Sequence, residues 1–349
     1  MINNQEKKEV TNRKICVIGG GRWGQNHIKT LFEMGRLGGV VEPDSDRLKE
    51  LLQKYPVFGY ADLDDAIDSG FDGYTVATPA VTHYTIGKKL LELGQNVLIE
   101  KPLTLSSVHA KELVEIAGKT DSRLMVGHVM LFHPAIQKIK ELVSASKIGK
   151  LQYIYSTRLN FGTVRTEESV FWSFAPHDIS ILNYFAGQHP VGIEAKGSRF
   201  LQDQVYDVTM VQLEYPDNLH GHIFVSWLHP FKEHRLVLVG SKGMISYEDS
   251  SKEKSICFYN KYFEMVNGQL AKNEEPDEII PYEKALPLTE ELKYFVNKLD
   301  SGIELADGKS GYQVVKVLER VHGLITRSGA EENGDRRTEI EFRDLKTQY

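Results

Sequence analysis

The stretch Ile15-Cys16-Val17-Ile18-Gly19-Gly20-Gly21-Arg22-Trp23-Gly24 decides the fold of this chain. An apolar, strand-like run leads into a G-x-G-x-x-G turn, and residues 25–34 continue with a pattern that suits a helix. This order of strand, turn and helix is the setting in which the motif binds a dinucleotide. Gly19 permits the tight turn, Gly21 lets the backbone approach a pyrophosphate, and Gly24 lets the helix pack closely on the strand. The first candidate cofactor contacts are therefore Gly19, Gly21, Arg22, Trp23 and Gly24.

An acidic residue ends the second apolar run. Glu42 follows Leu37-Gly38-Gly39-Val40-Val41 and lies 23 residues beyond Gly19, near the spacing at which an acid meets the adenosine ribose. An NADP 2′-phosphate about 4 Å from this carboxylate would meet a repulsion of roughly 4 kcal/mol per charge pair at an effective dielectric near 20. NAD is therefore expected, and NADP is disfavoured. Asp44 and Asp46 follow closely, so the alternative is that the acids of this segment start a helix or lie on the surface. Arg22 or Arg47 would still allow contact with a 2′-phosphate.

Length, charge and cysteine content limit the classes of function. The chain has 349 residues, which is enough for two domains with a large core. Its 42 Lys+Arg and 48 Asp+Glu residues are mixed along the sequence, so no basic stripe for nucleic acid is present. Cys16 and Cys257 suggest neither a disulfide framework nor a cysteine zinc site. Residues 1–14 are polar, unlike a signal peptide, and no later run is apolar enough to span a bilayer. We expect a cytoplasmic protein without nucleic-acid or membrane partners.

Strand and helix signals alternate through the first part of the chain. The predicted strands are 14–18, 38–42, 57–60, 72–77, 96–99 and 123–126, and the predicted helices are 24–34, 45–54, 62–68, 82–93 and 105–119. This βαβ rhythm predicts an α/β fold, with a doubly wound parallel Rossmann sheet. Ligands of such a sheet lie at the carboxyl ends of its strands. Three segments fall there: Ala77-Thr78-Pro79, Glu100-Lys101-Pro102 and Gly127-His128.

The pattern changes after residue 127. Further strands are predicted at 151–160, 191–199, 204–215, 219–228, 235–248 and 254–260, with helices at 134–146, 174–186, 289–300 and 310–327. Turn signals such as Tyr215-Pro216-Asp217-Asn218 and Gly240-Ser241-Lys242-Gly243 separate the strands. An α+β domain with a large, mostly antiparallel open sheet follows from this pattern. We expect an NAD-binding Rossmann domain at residues 1–127 and a domain for substrate binding and oligomerisation at residues 128–349.

The ordered motifs resemble those of the Gfo/Idh/MocA family of sugar and cyclitol oxidoreductases. The series comprises the glycine turn, the acid at the second strand end, the ATPAVTH segment ending at His83, Glu100-Lys101-Pro102, a VGH…HPA segment that begins at residue 126, and Ala175-Pro176-His177-Asp178. The resemblance covers nearly the whole chain. It implies that Lys101 and His177 act in catalysis. Ser173 departs from the family, because an aspartate is expected four residues before the histidine. Asp178 does not simply replace it, since adjacent residues on a helix point about 100° apart.

The proposed chemistry also follows from elementary requirements. Oxidation of a secondary alcohol removes a hydride from carbon and a proton from oxygen, so the site needs nicotinamide and an acid/base group. Burial and a neighbouring positive charge lower a lysine pKa towards ~7–8, where the amine serves as a base. Lys101 is therefore the expected base, and His177 shares the proton or hydrogen-bonds the hydroxyl. A surface position for Lys101 and a helix-start role for His177 remain the alternatives.

The resemblance also implies contacts around the cofactor. Thr78, Pro79, His83 and Glu100 occupy the positions of family cofactor contacts, and His128 falls where the family lines the nicotinamide end of its site. For His83 the alternative is a position on a helix surface, and for His128 it is plain packing. The 12 histidines show no metal-ligand spacing such as H-E-x-x-H. No metal is expected.

The stretch from Arg158 to Arg165, which leads to Trp172, resembles family members that act on nucleotide-linked amino sugars. Either arginine would then meet a diphosphate through a bidentate contact, and Trp172 and Asp178 would lie near the sugar. Alternatively, Arg165 is a surface residue that pairs with a neighbouring glutamate, and Trp172 is part of the core. The expected reaction is oxidation of C3 of a UDP-linked N-acetylhexosamine or its uronate.

Two other functions stay open. One is a dehydrogenase or reductase of a free sugar, an inositol or a ketosugar. The other is a non-catalytic NAD-binding sensor or scaffold, because Ser173 stands where the family's aspartate is expected. Family members commonly pair their open sheets, so a homodimer or homotetramer is expected, with the alternating segment 220–228 as a candidate face.

Overall fold

The computed structural model describes residues 12–346, with side chains described as far as residue 327. The expected polar tail at residues 1–11 lies outside this range. The described chain forms two compact units, of which the first contains residues 12–137 and 283–316 and the second contains residues 138–282 and 317–346. This division differs from a single boundary at residue 127, because the chain returns to the first unit after residue 282. None of the described helices has the length and apolar character needed to cross a membrane.

The elements follow one another in a regular order. The first unit begins with β1 (Ile15–Ile18), α1 (Arg22–Glu33), β2 (Leu37–Val41), α2 (Ser45–Lys54), β3 (Phe58–Tyr60), α3 (Leu63–Asp68), β4 (Gly73–Val76), α4 (Ala80–Glu92), β5 (Val97–Glu100), α5 (Ser107–Thr120), β6 (Leu124–Gly127) and a 3₁₀ turn (Val129–Phe132). The remaining elements are α6 (Pro134–Ser144), β7 (Leu151–Phe161), α7 (Val170–Ala186), β8 (Gly192–Ser198), β9 (Val208–Tyr215), a 3₁₀ turn (Pro216–Asn218), β10 (Leu219–Ser226), β11 (Leu228–Gly240), β12 (Gly243–Glu248), β13 (Ile256–Tyr259), β14 (Lys261–Val266), β15 (Gln269–Glu274), β16 (Glu278–Ile280), α8 (Pro287–Lys298) and α9 (Gly308–Lys346).

The first unit contains the predicted Rossmann sheet. Its six strands are all parallel and lie in the order β3-β2-β1-β4-β5-β6. Every residue of β1, β4, β5 and β6 is buried, as expected for a parallel sheet covered on both faces. The strand order reverses between β1 and β4, and this switch point is where open α/β sheets bind their ligands. The prediction of the fold class is confirmed.

The second unit is built on an eight-stranded sheet with the order β16-β13-β12-β11-β7-β10-β9-β8. All its pairs are antiparallel except β7–β10. Helix α7 packs on one face of this sheet, against β7, β9 and β10. It begins at Val170, earlier than the predicted residue 174, because the side chain of Ser169 caps its first turn. The mostly antiparallel sheet that the sequence predicts is therefore present.

Two features of the second unit differ from the predicted elements. The single strand predicted at 235–248 is two strands, β11 and β12, which pair with each other across a tight turn. Glycine allows this turn, since Gly243 has a φ of +157° and a Cβ atom on Gly240 would lie 2.1 Å from the carbonyl oxygen of Ile148. The β14–β15 hairpin and the short strand β16 were not predicted. These strands are mostly exposed. Their sequences do not show the alternation of apolar and polar residues that predicts a half-buried strand.

Candidate active site

Five loops at one edge of the Rossmann sheet bring most of the predicted cofactor residues together. The glycine turn follows β1, Glu42 follows β2, Thr78 follows β4, Glu100 ends β5 and His128 follows β6. The strands are parallel, so these loops share the carboxyl edge of the sheet. All five belong to the first unit.

The glycine turn has the geometry that a dinucleotide requires. Gly19 has a φ of +98°, and a Cβ atom on Gly24 would lie 1.9 Å from the carbonyl oxygen of Gly19, so neither position tolerates a side chain. A Cβ atom on Gly21 would meet no atom within 4 Å, which leaves the outer side of the turn open. Gly21 precedes α1, whose start has no side-chain cap and no acidic residue in its first turn. An open, uncapped helix start suits a diphosphate, because its N–H groups and dipole favour negative charge.

Glu42 anchors the glycine turn to the end of β2. Its side chain is buried, and Oε2 accepts a hydrogen bond from the Gly20 N–H at 2.8 Å. Its other oxygen accepts from the Asp44 N–H at 3.0 Å and lies 3.2 Å from Nη1 of Arg47. Asp44 caps α2 through the N–H groups of Asp46 and Arg47, so the helix-start role belongs to Asp44. The carboxylate of Glu42 fits ribose hydroxyls and opposes a 2′-phosphate.

Glu100 links the glycine turn to the EKP segment. Its Oε1 accepts hydrogen bonds from the indole N–H of Trp23 and, at 2.8 Å, from Nε2 of His27. Its Oε2 accepts from the backbone N–H of Lys101 at 3.1 Å. Burial raises the pKa of Glu100, but the hydrogen bonds from His27 and Trp23 and the positive charges nearby outweigh it, so the pKa lies below its usual range. Glu100 is therefore a buried carboxylate that fixes the backbone where Lys101 leaves β5.

Lys101 is half-buried and is joined to Pro102 by a cis peptide bond. The loop that follows it is fastened by His83, which is 1% exposed. Nδ1 of His83 lies 2.8 Å from the carbonyl oxygen of Pro102, and Nε2 lies 3.0 Å from that of Thr78. Burial lowers the pKa of His83, and a neutral ring donates through one nitrogen only. Both nitrogens of His83 face backbone carbonyls, and the single N–H of the neutral ring donates to one of them, which holds the ring between the ends of β4 and β5. The expected cofactor contact of His83 stays a prediction.

The remaining predicted residues of the first unit differ in exposure. His128 is 1% exposed, and burial lowers its pKa to about 4. Neither ring nitrogen of His128 has a hydrogen-bond partner among the described residues, and its place at the nicotinamide end stays a prediction. Arg22 and Trp23 are exposed on the first turn of α1. The hydroxyl of Thr78 pairs with that of Thr82 at 2.7 Å at the start of α4.

In the second unit, α7 carries the other predicted catalytic residue. His177 and Ser173 are both partly exposed and lie one turn apart on α7, so they share a face of the helix. Asp178 points elsewhere and is 1% exposed. Its Oδ1 accepts from the Ser156 hydroxyl at 2.7 Å, and its Oδ2 accepts from Nε of Arg158 at 2.9 Å. Both oxygens of Asp178 are thus bonded inside the unit, and its expected contact with substrate stays a prediction.

The two candidate arginines have different surroundings. Arg158 makes a two-pronged ion pair with Asp178, and its side chain is 11% exposed. Arg165 is 48% exposed, and its nearest carboxylate oxygen, on Glu168, is 4.0 Å away. Arg158 is thus committed to holding α7 on β7, whereas the guanidinium of Arg165 stays accessible. Trp172 is partly buried in the first turn of α7.

Comparison with family models identifies both parts of the chain. The model described as an oxidoreductase family with an NAD-binding Rossmann fold matches residues 13–128, and the model of the Gfo/Idh/MocA C-terminal domain matches residues 136–246. Together they cover more than half of the sequence. The chain belongs to the Gfo/Idh/MocA family. The predicted family and the predicted NAD-binding domain are therefore confirmed.

Curated members of the Gfo/Idh/MocA family resemble the chain at low identity. A UDP-N-acetylglucosamine 3-dehydrogenase of Acidithiobacillus ferrooxidans is 27% identical over 189 residues, which are 54% of this chain and 59% of that protein. An inositol 2-dehydrogenase of Corynebacterium glutamicum is 26% identical over 191 residues, which are 52% of this chain and 57% of that protein. The chain thus spans little more than half the length of these relatives.

A solved structure of this family has the same fold. The UDP-N-acetylglucosamine 3-dehydrogenase of Acidithiobacillus ferrooxidans superposes with a TM-score of 0.79 at 22% identity, covering 89% of this chain and 97% of that one. At this identity the likeness is one of fold.

Sequence reasoning gave His27 and Glu291 of the first unit no role, and it placed Gly127 at the ligand edge of the sheet without a partner. His27 binds Glu100, Gly127 makes room for the Glu100 carboxylate, and Glu291 lies on α8 with a fully buried side chain. The signal for His27 was weak, since a histidine two turns into a helix is more often on its surface. Glu291 gave no local signal, because it lies 191 residues after Glu100 in the sequence.

Proposed function

We propose that this protein is an NAD-dependent dehydrogenase that oxidises a secondary hydroxyl of a sugar, at C3 of a UDP-linked N-acetylhexosamine or its uronate. One observation supports the dehydrogenase activity above others. Trp23, inside the dinucleotide turn, donates a hydrogen bond to Glu100, inside the EKP segment. The cofactor turn and the proposed base, Lys101, therefore belong to one connected site.

The cofactor contacts follow from the open groups around the turn. The N–H groups at the start of α1 would bind the diphosphate, and Glu42 would accept hydrogen bonds from the adenosine ribose. Bound NAD would accept the hydride that leaves the sugar carbon. The other residues of this edge hold the loops in place, because Glu100 and His83 bind backbone groups on both sides of Lys101.

Lys101 is proposed to take the proton of the sugar hydroxyl. Its backbone is fixed by Glu100, and its side chain is half-buried, which suits an amine that must lose its proton near neutral pH. His177 is the second proposed catalytic residue, with a hydrogen bond to the reacting hydroxyl as its role. The family likeness supports both assignments, and substitution of each residue tests them separately.

The nucleotide-sugar assignment rests on two observations. A relative 27% identical to this chain is named a UDP-N-acetylglucosamine 3-dehydrogenase. Arg165 presents an accessible guanidinium, the group that binds diphosphates through two parallel hydrogen bonds. An inositol or free sugar is the second candidate, because relatives with nearly the same identity are named inositol dehydrogenases. Such a substrate has no diphosphate, so binding would not depend on Arg165.

A substrate panel separates these candidates. Protein and NAD are mixed with UDP-N-acetylhexosamines, their uronates, free sugars and inositols, and nicotinamide absorbance is followed. We expect reduction of NAD with a UDP-sugar, and a raised KM in Arg165→Met. Arg235→Met is the matched control and should leave KM unchanged, because Arg235 is an exposed residue of β11 that pairs with Glu248 on β12. Oxidation of inositols or free sugars with UDP-sugars left unchanged would overturn the substrate assignment.

We further propose that the chain self-associates through its open sheet and acts in the cytoplasm. The side chain of Met210 on β9 is 56% exposed and that of Tyr153 on β7 is 40% exposed, beside His222 on the adjacent strand β10. Exposed apolar surface of this kind is a liability unless a partner covers it. Light scattering of the native protein and of Met210→Glu tests the dimer or tetramer. A monomeric native protein would overturn it.

A further inference from the structure

A buried carboxyl group of the first unit has no role in the site described so far. Glu291 on α8 is 0% exposed, and neither of its oxygens has a hydrogen-bond partner among the described residues. Buried polar groups are nearly always bonded, either to protein or to an internal water. A carboxyl group in this position therefore needs a partner.

The packing of α8 places Glu291 close to the Glu100 cluster. Phe295, one turn further along α8, lies over the start of β4, where a Cβ atom on Gly73 would be 3.2 Å from its ring. Val296, next to it, accepts a hydrogen bond from Arg13, which precedes β1. The end of α8 therefore lies at the amino edge of the sheet, and Glu291 lies one turn nearer the carboxyl edge. Helix α1, which carries His27, packs against α8.

His27 has an unsatisfied nitrogen on the same unit. Its side chain is 0% exposed, Nε2 lies 2.8 Å from Oε1 of Glu100, and Nδ1 has no described partner. Because Glu100 is a carboxylate, which only accepts hydrogen bonds, Nε2 must carry the proton. In the neutral ring Nδ1 is then an acceptor that lacks a donor.

Glu291 has the matching property. Burial raises the pKa of Glu291 well above its usual range, and the negative charge of Glu100 raises it further. A carboxyl group in these surroundings keeps its proton and offers one O–H donor. Glu291 therefore offers a donor of the kind that Nδ1 of His27 lacks, on a helix that packs against α1.

We propose that the carboxyl group of Glu291 donates a hydrogen bond, through one internal water, to Nδ1 of His27, and so fixes Glu100 beside Lys101. Glu291 is then a positioning residue, which acts on Lys101 through His27 and Glu100. It fixes the tautomer of His27, which in turn orients the carboxylate that holds the backbone of the EKP segment. Its effect on catalysis rests on the proposed function, whereas its effect on His27 does not.

Nitrogen NMR of histidine-labelled protein tests this arrangement without cofactor or substrate. The His27 signals are identified by their loss in His27→Gln. We expect His27 to be the Nε2–H tautomer in the native protein and in Glu291→Gln, because the amide NH₂ still donates. In Glu291→Leu the Nδ1 resonance should shift, since its donor is gone. Identical His27 resonances in the native protein and in Glu291→Leu would overturn the proposal.

A second measurement tests the proposal even if Glu291→Leu does not fold. Carbon NMR of the glutamate carboxyl groups of the native protein should show one group that stays protonated at neutral pH, and this signal should be absent from Glu291→Gln. A native spectrum without such a group would overturn the proposal.

The catalytic consequence is measured separately. If Glu291 positions Lys101, Glu291→Leu should lower kcat roughly tenfold to a hundredfold, with KM little changed, because misplacement of a catalytic group by about 1 Å costs this much. Glu291→Gln should restore most of the rate, and Glu290→Gln, on the more exposed side of α8, should match the native protein. An unchanged kcat in Glu291→Leu would remove the link to Lys101. A native protein inactive on all substrates would contradict the proposed function instead and leave the NMR test valid.

Discussion

The backbone of Gly127 lies directly against the carboxylate of Glu100. The two residues are partners in the parallel β5–β6 pair, and a Cβ atom on Gly127 would lie 2.9 Å from the carboxylate carbon and from both its oxygens. A glycine at the end of β6 is therefore what allows the Glu100 side chain to reach Trp23 and His27.

Gly127→Ala should displace Glu100 and disturb the EKP segment. Overpacking of a buried site costs typically 1–3 kcal/mol, so we expect a loss of this order in the free energy of unfolding, measured with urea. Gly118→Ala in α5 is the matched control, since a Cβ atom there meets nothing within 4 Å and alanine favours a helix by about 1 kcal/mol. Equal stability of the two variants would contradict the tight contact.

Glu42 should determine the choice between NAD and NADP. Glu42→Ser removes the carboxylate that opposes a 2′-phosphate and releases Arg47 from its ion pair. We expect the affinity for NADP relative to NAD to rise at least tenfold. The full repulsion of one charge pair at 4 Å is roughly 4 kcal/mol, so a tenfold rise needs only part of it. Calorimetric titration of both cofactors measures this ratio. Asp44→Asn, which leaves Glu42 in place, should keep the native preference, and a native ratio in Glu42→Ser would refute the assignment.

His128 should make the first unit sensitive to acid. Burial lowers its pKa to about 4, against about 6.5 in the unfolded chain, so the unfolded state binds more protons between these values and stability falls as pH falls through this window. Between pH 7 and pH 5 this amounts to about 2 kcal/mol. His128→Gln should lose correspondingly less stability than the native protein over this range in urea unfolding. The exposed His222→Gln should keep the native dependence, and an unchanged dependence in His128→Gln would contradict the account.

Loss of the ion pair between Arg158 and Asp178 should destabilise the second unit more than loss of any other of its described polar contacts. Arg158→Met leaves Asp178 buried and uncompensated, which costs typically 3–5 kcal/mol. The exposed pair of Arg235 and Glu248 is the control, because Arg235→Met should cost less than 1 kcal/mol. Adding Asp178→Leu to Arg158→Met should recover part of the loss. If thermal unfolding shows equal costs for the two arginines, the structural role of Arg158 is wrong.

Much of the first unit was predictable because each of its signals is local. The strand, glycine turn and helix around Gly19, the acid at Glu42 and the EKP segment all carry their meaning within a few residues. The positions of these loops at one edge then follow from the parallel sheet. The segment Gly240-Ser241-Lys242-Gly243 also carries a local turn signal, although the run 235–248 around it was predicted as one strand, and β11 and β12 meet at this turn.

The partners of individual side chains could not be predicted in the same way. Asp178 follows a candidate catalytic histidine in sequence, yet it bonds to Arg158 and Ser156 on β7, because the helix turns it towards the sheet. His83, a predicted cofactor contact, is buried between the carbonyl oxygens of Pro102 and Thr78 and donates its single N–H to one of them. Glu291 belongs to the first unit only because the chain returns to it after residue 282. Such contacts depend on tertiary packing and leave no local pattern.

The most direct test of the central claim is a single-turnover measurement of nicotinamide absorbance, with stoichiometric protein, NAD and the active UDP-sugar. The native protein should reduce NAD, and Lys101→Ala should slow this step by at least a hundredfold, within the usual contribution of a general base, while cofactor binding stays intact. Lys88→Ala, on the surface of α4, should react like the native protein. An unchanged rate in Lys101→Ala would contradict its role as the base, and no reduction by the native protein with any sugar, despite NAD binding, would point to a non-catalytic binder.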